Sequence, residues 1–89
     1  MKAIMTVIGA DHVGIVASIS ALLASMNVNI LDLTQTIMDG LFTMTVLVDT
    51  SASDKRFEEI RASLMKRGEE DNLEIRIQRA DIFTAMHRI

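Results

Sequence analysis

Gly9, Ala10, Asp11, His12, Val13 and Gly14 form the stretch in which residue types and spacing point most directly to chemistry. It lies between a run that alternates like a strand and a run that repeats like a helix, so it reads as a strand-to-helix turn. Two glycines supply the backbone freedom that such a turn needs. Gly14 stands where the unpaired N–H groups of a new helix open outward, an end that attracts anions. Asp11 adds a carboxylate and His12 an imidazole. This pair could be half of a metal site, with Asp32 or His87 in the other half. However, two histidines with no ligand spacing between them are more often surface residues, and the expectation is no metal and no cofactor. No nucleophile stands near a recognisable base, so the chain is expected not to be an enzyme.

The turn must be held by a small scaffold. At 89 residues the chain is long enough for a single domain, residues 1–89, with one layer of helices on one sheet. Hydrophobic residues make up 49% and mean hydropathy is +0.30, high for a small domain that must also cover itself, which predicts a partner surface. There is no Cys and the net charge is −3 without a basic cluster. The first suits a reducing cytoplasm, and the second argues against nucleic acid as a direct partner. Residues 13–31 carry no charge, but Ser18, Ser20, Ser25, Asn27 and Asn29 interrupt them. A membrane span is therefore excluded, and with no cleavable signal pattern at its start the protein is expected in the cytoplasm.

Residues 3–8 are apolar apart from Thr6 and rich in β-branched residues, the pattern of a central strand buried on both faces. Ile15, Ile19, Leu22, Leu23 and Met26 then make the stripe of an amphipathic helix ended by Asn27. Its opposite face, Ala17, Ser18, Ser20, Ala21, Ala24 and Ser25, is small and uncharged throughout. Close backbone approach is possible there, so this face predicts helix-to-helix contact in an oligomer. Residues 28–38 read as a strand in which Leu31, Leu33 and Ile37 alternate against Asp32, Thr34 and Thr36. Asp39-Gly40 signals a type I′ hairpin turn, and residues 41–49 return with Phe42, Met44, Val46 and Val48 on one face. Ser51 or Ser53 is available to cap a second helix, with Phe57, Ile60 and Leu64 buried, a charged outer face, and Gly68 marking its end. Leu73, Ile75 and Ile77 alternate with Glu74, Arg76 and Gln78 in a fourth strand. Ile82, Phe83, Met86 and Ile89 give a short C-terminal helix an apolar side that must dock on something.

The order β-α-β-β-α-β predicts an α+β, ferredoxin-like fold: a four-stranded antiparallel sheet with both helices on one face and the first and third strands at its centre. The second strand is then a long edge charged only at Asp32, a poorly protected template for pairing. Joining two such edges about a two-fold axis would also bring the small-faced helices together, which predicts a homodimer or a larger homo-oligomer.

Fold alone does not give function. An RNA-binding version would need aromatics on the open sheet face, and this chain has no Tyr or Trp. The turn from Gly9 to Gly14 with Ile15-Val16 opening a helix, then Val28-Asn29-Ile30 starting a strand, then Gln35, resembles an ACT domain, the small regulatory module that binds amino acids. The resemblance covers essentially the whole chain, and its length and ending are similar to a group of small stand-alone bacterial and archaeal ACT proteins related to glycine cleavage system regulators. It implies a dimer with an amino acid at the subunit interface, held by Asp11, the backbone around Gly14, and Asn29 of the adjacent subunit. The N–H groups of Val13, Gly14 and Ile15 would take a carboxylate, Asp11 an ammonium, and Asn29 would offer both donor and acceptor. The family's serine-binding pattern carries His in the place of Gly9 and Asn in the place of Asp11, so ligand identity does not carry over. The alternative is a protein–protein adaptor without a small ligand that engages its partner through the C-terminal tail.

Overall fold

The computed structural model describes residues 1–81. Its elements are β1 (Lys2–Ala10), α1 (Ile15–Ser25), β2 (Asn29–Met38), β3 (Leu41–Asp49), α2 (Phe57–Asp71) and β4 (Leu73–Arg79). The strands form one antiparallel sheet in the order β2-β3-β1-β4, the expected βαββαβ ferredoxin-like arrangement with β1 and β3 central. The C-terminal helix expected after Asp81 lies outside the described residues.

One face of the sheet makes the core. Ala3, Met5 and Val7 of β1, Phe42, Met44, Val46 and Val48 of β3, and Leu73, Ile75 and Ile77 of β4 are buried against Ile15, Ile19 and Leu23 of α1 and Ile60 and Leu64 of α2. The apolar positions thus follow a period of two in the strands and near 3.6 in the helices, as packing of helices on one sheet face requires. Among the described residues nothing covers the other face, which corrects the expectation that β1 is buried on both sides. Ile8 is 41% exposed there, because both helices lie on the same side.

In β2 a register shift between Ile30 and Asp32 corrects the predicted alternation. Ile30 pairs with Val48 and Leu33 with Val46, so these two share the core side and pack on the core. Leu31 is the inserted residue, leaves the stripe, and is 43% exposed. The hairpin is as expected: Asp39 and Gly40 both take positive φ, 52° and 79°, which the right-handed strand twist favours in a two-residue turn.

α1 ends at Asn27 as expected, whereas α2 differs from its sequence signals at both ends. Asn27 adopts φ 60°, its N–H bonds the Ala24 carbonyl, and the Val28 N–H reaches Leu23, a Schellman ending with Val28 and Leu23 both buried. α2 begins later than the serines suggested. Arg56 precedes it, and the Glu59 carboxylate accepts the Arg56 N–H at 2.9 Å, while Ser53 Oγ serves the Lys55 N–H and Ser51 turns to Asp49. Gly68 does not end the helix, which runs on to Asp71 and stops at left-handed Asn72. Gly68 is buried instead, and a Cβ on it would stand 2.6 Å from the Leu73 carbonyl oxygen. Its role is to let β4 approach α2.

Candidate functional site

The turn that follows β1 is built by three backbone decisions. Gly9 is still a ladder residue, paired with Phe42 and Leu73, and has no positive φ. The expectation that it supplies turn freedom is corrected: a Cβ there would lie 2.6 Å from Leu73 Cδ2 and 3.1 Å from the Asn72 carbonyl oxygen, so glycine is needed for packing. Ala10 is the last residue of β1, exposed and opposite Leu41. Asp11 then donates its N–H to the Gly40 carbonyl at 2.9 Å, which ties the turn to the β2–β3 hairpin.

Asp11, His12, Val13 and Gly14 are all exposed, and Val13 is fully so. His12 Nδ1 lies 3.3 Å from the Val13 carbonyl oxygen. Gly14 has φ 92° and ψ 4° with open space where a Cβ would be, so this is the position where the turn requires glycine. The Gly14 carbonyl accepts the Ser18 N–H at 2.9 Å, which starts α1. No side chain caps this end, and no acidic residue lies in the first turn. The N–H groups that open α1 are therefore available for an anion. Ile15 is buried through its side chain, so only its backbone N–H can serve such a role.

Asn29 is exposed but far away. It opposes Asp49, which opposes Lys2 at the start of β1, so the length of a strand that begins at Lys2 and ends at Ala10 lies between it and the turn, about 26 Å at 3.3 Å per residue. Within one chain the predicted site residues fall into two groups at opposite ends of the sheet.

Around Asn29 the structure reveals polar company that the sequence did not single out. A groove of about 490 Å³ is lined by Ala24, Asn27, Val28, Asn29, Asp49, Ser51 and Ala52. Asn27 Nδ2 donates to the Ala52 carbonyl at 2.9 Å. The Asp49 carboxylate accepts from Ser51 Oγ at 2.6 Å, from the Ser51 N–H at 3.0 Å, and from the Met1 ammonium at 3.4 Å. The Ser51 hydrogen bonds, with the ammonium behind them, hold its pKa below the ordinary aspartate value. An anion fixed in this way can receive a cationic group. The available signal was Asp49-Thr50-Ser51, the pattern in which a carboxylate bonds the backbone two residues on. Among the described residues no cluster of three His, Cys, Asp or Glu side chains is placed to hold a metal ion. No helix among them is long and apolar enough to cross a membrane.

The small-residue face of α1 also needs one correction. Ser18 does not face outward: Arg67 Nη1 of α2 donates to Ser18 Oγ at 2.7 Å, and Ser18 Oγ lies 3.3 Å from Asp71 Oδ2. Ser18 therefore marks the side of α1 that meets α2. At 100° per residue, Ser20 and Ala24 lie on the side turned away from α2.

A four-stranded βαββαβ sheet with an exposed, uncapped turn between β1 and α1 defines the ferredoxin-like fold class, and sequence comparison gives the family. The family model described as ACT domain matches residues 2–78, and the chain belongs to the ACT domain family. Along its whole length it is similar to a UPF0237 protein of Listeria monocytogenes, 52% identical over 89 residues with 100% of both chains covered. The solved structure of an ACT domain protein from Streptococcus pneumoniae superposes with a TM-score of 0.82 at 42% identity, over 93% of each chain. A structure assigned as a glycine cleavage system transcriptional repressor matches at a TM-score of 0.76 and 19% identity, covering 86% of this chain and 44% of that one, which is likeness of fold.

Proposed function

We propose that this chain, acting as one domain over residues 1–89, is a cytoplasmic, non-enzymatic regulatory protein that binds an amino acid or similar small ligand between two copies of itself. The observation that carries this reading is the separation of the turn from Asn29 within one chain, together with a free β2 edge that would close the gap. β2 runs from Asn29 at one end of the sheet to Met38 beside the hairpin that holds Asp11. Antiparallel pairing of two β2 edges about a two-fold axis sets the start of each strand against the end of the other. The partner subunit's Asn29 then comes to the end of the sheet where the turn lies.

In that arrangement the N–H groups of Val13, Gly14 and Ile15 receive the ligand carboxylate, Asp11 receives its ammonium, and the partner's Asn29 closes the site. Val13 becomes covered. The bound state is passed to a protein partner as altered dimer geometry or stability, with neither nucleic acid nor membrane engaged directly.

Differential scanning fluorimetry against the common amino acids tests the reading. A ligand at one hundred times its dissociation constant adds about 2.7 kcal/mol, and at about 4–8 °C per kcal/mol for a domain of this size the midpoint should rise by about 10 °C or more. No shift with any amino acid at millimolar concentration would remove the sensor. The rival reading, an adaptor without a small ligand, draws on the exposed Ile8, Met38 and Leu41 of the open sheet face and would stand in that event.

A further inference from the structure

The groove of about 490 Å³ beside Asn29 has polar groups that its own chain uses unevenly. All three hydrogen bonds to the Asp49 carboxylate, from Ser51 Oγ, the Ser51 N–H and the Met1 ammonium, end on the same oxygen, Oδ1. Among the described residues Oδ2 receives none. The Met1 ammonium does not use up the charge, since it lies 3.4 Å from Oδ1 and makes its shorter bond, 2.9 Å, to Ser51 Oγ. Asn27 donates from its amide nitrogen to the Ala52 carbonyl, which leaves its amide oxygen as a second acceptor. Among the described residues no lysine or arginine lines the groove, and Ala24, Val28 and Ala52 give it apolar walls. An open carboxylate oxygen and an amide oxygen beside apolar walls suit a cation carried on a hydrocarbon stem.

We propose that this groove takes the side chain of the ligand, and that the ligand is a diamino acid such as lysine or ornithine whose side-chain ammonium sits on Asp49. The assignment rests on the interfacial site proposed above, in which the turn of one chain holds the ligand's carboxylate and α-ammonium and the partner's Asn29 closes it. Asn29 and Asp49 are ladder partners, so the partner's Asp49 stands about 5 Å beyond the partner's Asn29, a step that the four-carbon stem of lysine covers. The charges also match. Asp11 of one chain and Asp49 of the other give the site two carboxylates, and a diamino acid brings two cations with its single carboxylate. The geometry at Asp49 further separates the basic side chains. A guanidinium fork seeks both oxygens of a carboxylate, and Oδ1 already accepts from three donors. An ammonium is a point charge that one oxygen can receive, so lysine and ornithine fit where arginine does not.

Calorimetric titration of the full chain with lysine, ornithine, arginine and norleucine tests this, because norleucine has the lysine stem without its ammonium. Lysine or ornithine should bind at least about tenfold more tightly than norleucine or arginine. Asp49→Asn, checked for folding by circular dichroism, should erase that preference. Amide resonances of the unaltered chain give a readout that needs no variant. Lysine should move those of Asp49 to Ala52 together with those of Asp11 to Gly14, whereas norleucine at high concentration should move those of the turn alone. A neutral amino acid that binds as tightly as lysine, a lysine preference that survives in folded Asp49→Asn, or resonances of Asp49 to Ala52 that stay still with lysine would each overturn the assignment and leave the interfacial site standing. Absence of binding by every amino acid would remove both.

Discussion

The two helices lie on the same face of the same sheet and bury the same amount of sequence, yet their outer sides are finished differently. α1 buries Ile15, Ile19 and Leu23, and α2 buries Ile60, Leu64 and Gly68. Beyond that stripe α2 carries Glu58, Glu59, Arg61, Lys66, Arg67, Glu69 and Glu70, with Arg61 within 3.8 Å of Glu58 and Arg67 within 3.6 Å of Glu70. α1 carries no charge anywhere. A helix whose outer side is charged is complete in water, whereas Ala17, Ala21 and Ala24 offer water neither charge nor hydrogen bonds and offer a second helix close approach. In the proposed dimer the difference leaves α2 in solvent and gives α1 a neighbour. Among the described residues, Ser18 is the one polar residue of α1 satisfied by another element, and that element is α2, which turns Ser20 and Ala24 toward the β2 edge.

The comparison can be broken at several strengths. The largest effect belongs to Ala24→Arg, which places a long cation in the proposed contact. It should weaken dimerisation at least about 100-fold, equivalent to about 2.7 kcal/mol, as read by sedimentation. Ala21→Arg, nearer the top of the helix, should weaken it less, and Lys66→Ala on α2 should leave it unchanged. Next comes Gly68→Ala, whose added methyl meets the Leu73 carbonyl; overpacking of this kind costs about 1–3 kcal/mol, read by urea denaturation. Ser18→Ala removes the acceptor of Arg67 between the helices and should cost about 1 kcal/mol. Smallest is Glu58→Ala on the solvated side, expected within about 0.5 kcal/mol of the parent.

A pH dependence sharpens the other end of the sheet. Because hydrogen bonds from Ser51 lower the Asp49 pKa in the folded state, the carboxylate contributes stability above the ordinary aspartate range. That contribution is lost as pH falls below about 4 and through the folded-state value. Asp49→Asn should flatten this acid limb of the melting curve.

Much of the fold was readable because the chain's signals are local and repeat at the right period. Asp39-Gly40 fixed the hairpin, and the strands of the core alternate without interruption in β3 and β4. What escaped reading has a common physical origin. An inserted residue at Leu31 shifts faces without changing any residue type, so alternation misassigned it. A glycine letter does not distinguish freedom from closeness, and Gly9 and Gly68 both serve close approach to Leu73 rather than a turn. Helical spacing tells which residues of α1 share a side but not where α2 lies, so Ser18 was placed outward. For the candidate site, the turn itself was visible as a glycine-bounded polar stretch. Asp49 and Ser51 were not, because they join Asn29 only when three separate elements meet at one end of the sheet.

The most direct measurement of the central claim mixes two defective chains. Asp11→Ala and Asn29→Ala are each expected to abolish binding of the amino acid that stabilises the parent. If each site takes Asp11 from one chain and Asn29 from the other, a heterodimer of the two variants holds one intact site. Random mixing makes half of all dimers heterodimers, so calorimetric titration should recover about one quarter of the parent's sites at the parent's affinity. A mixture that binds no better than either variant alone would show that the site does not span two chains, and would contradict the account.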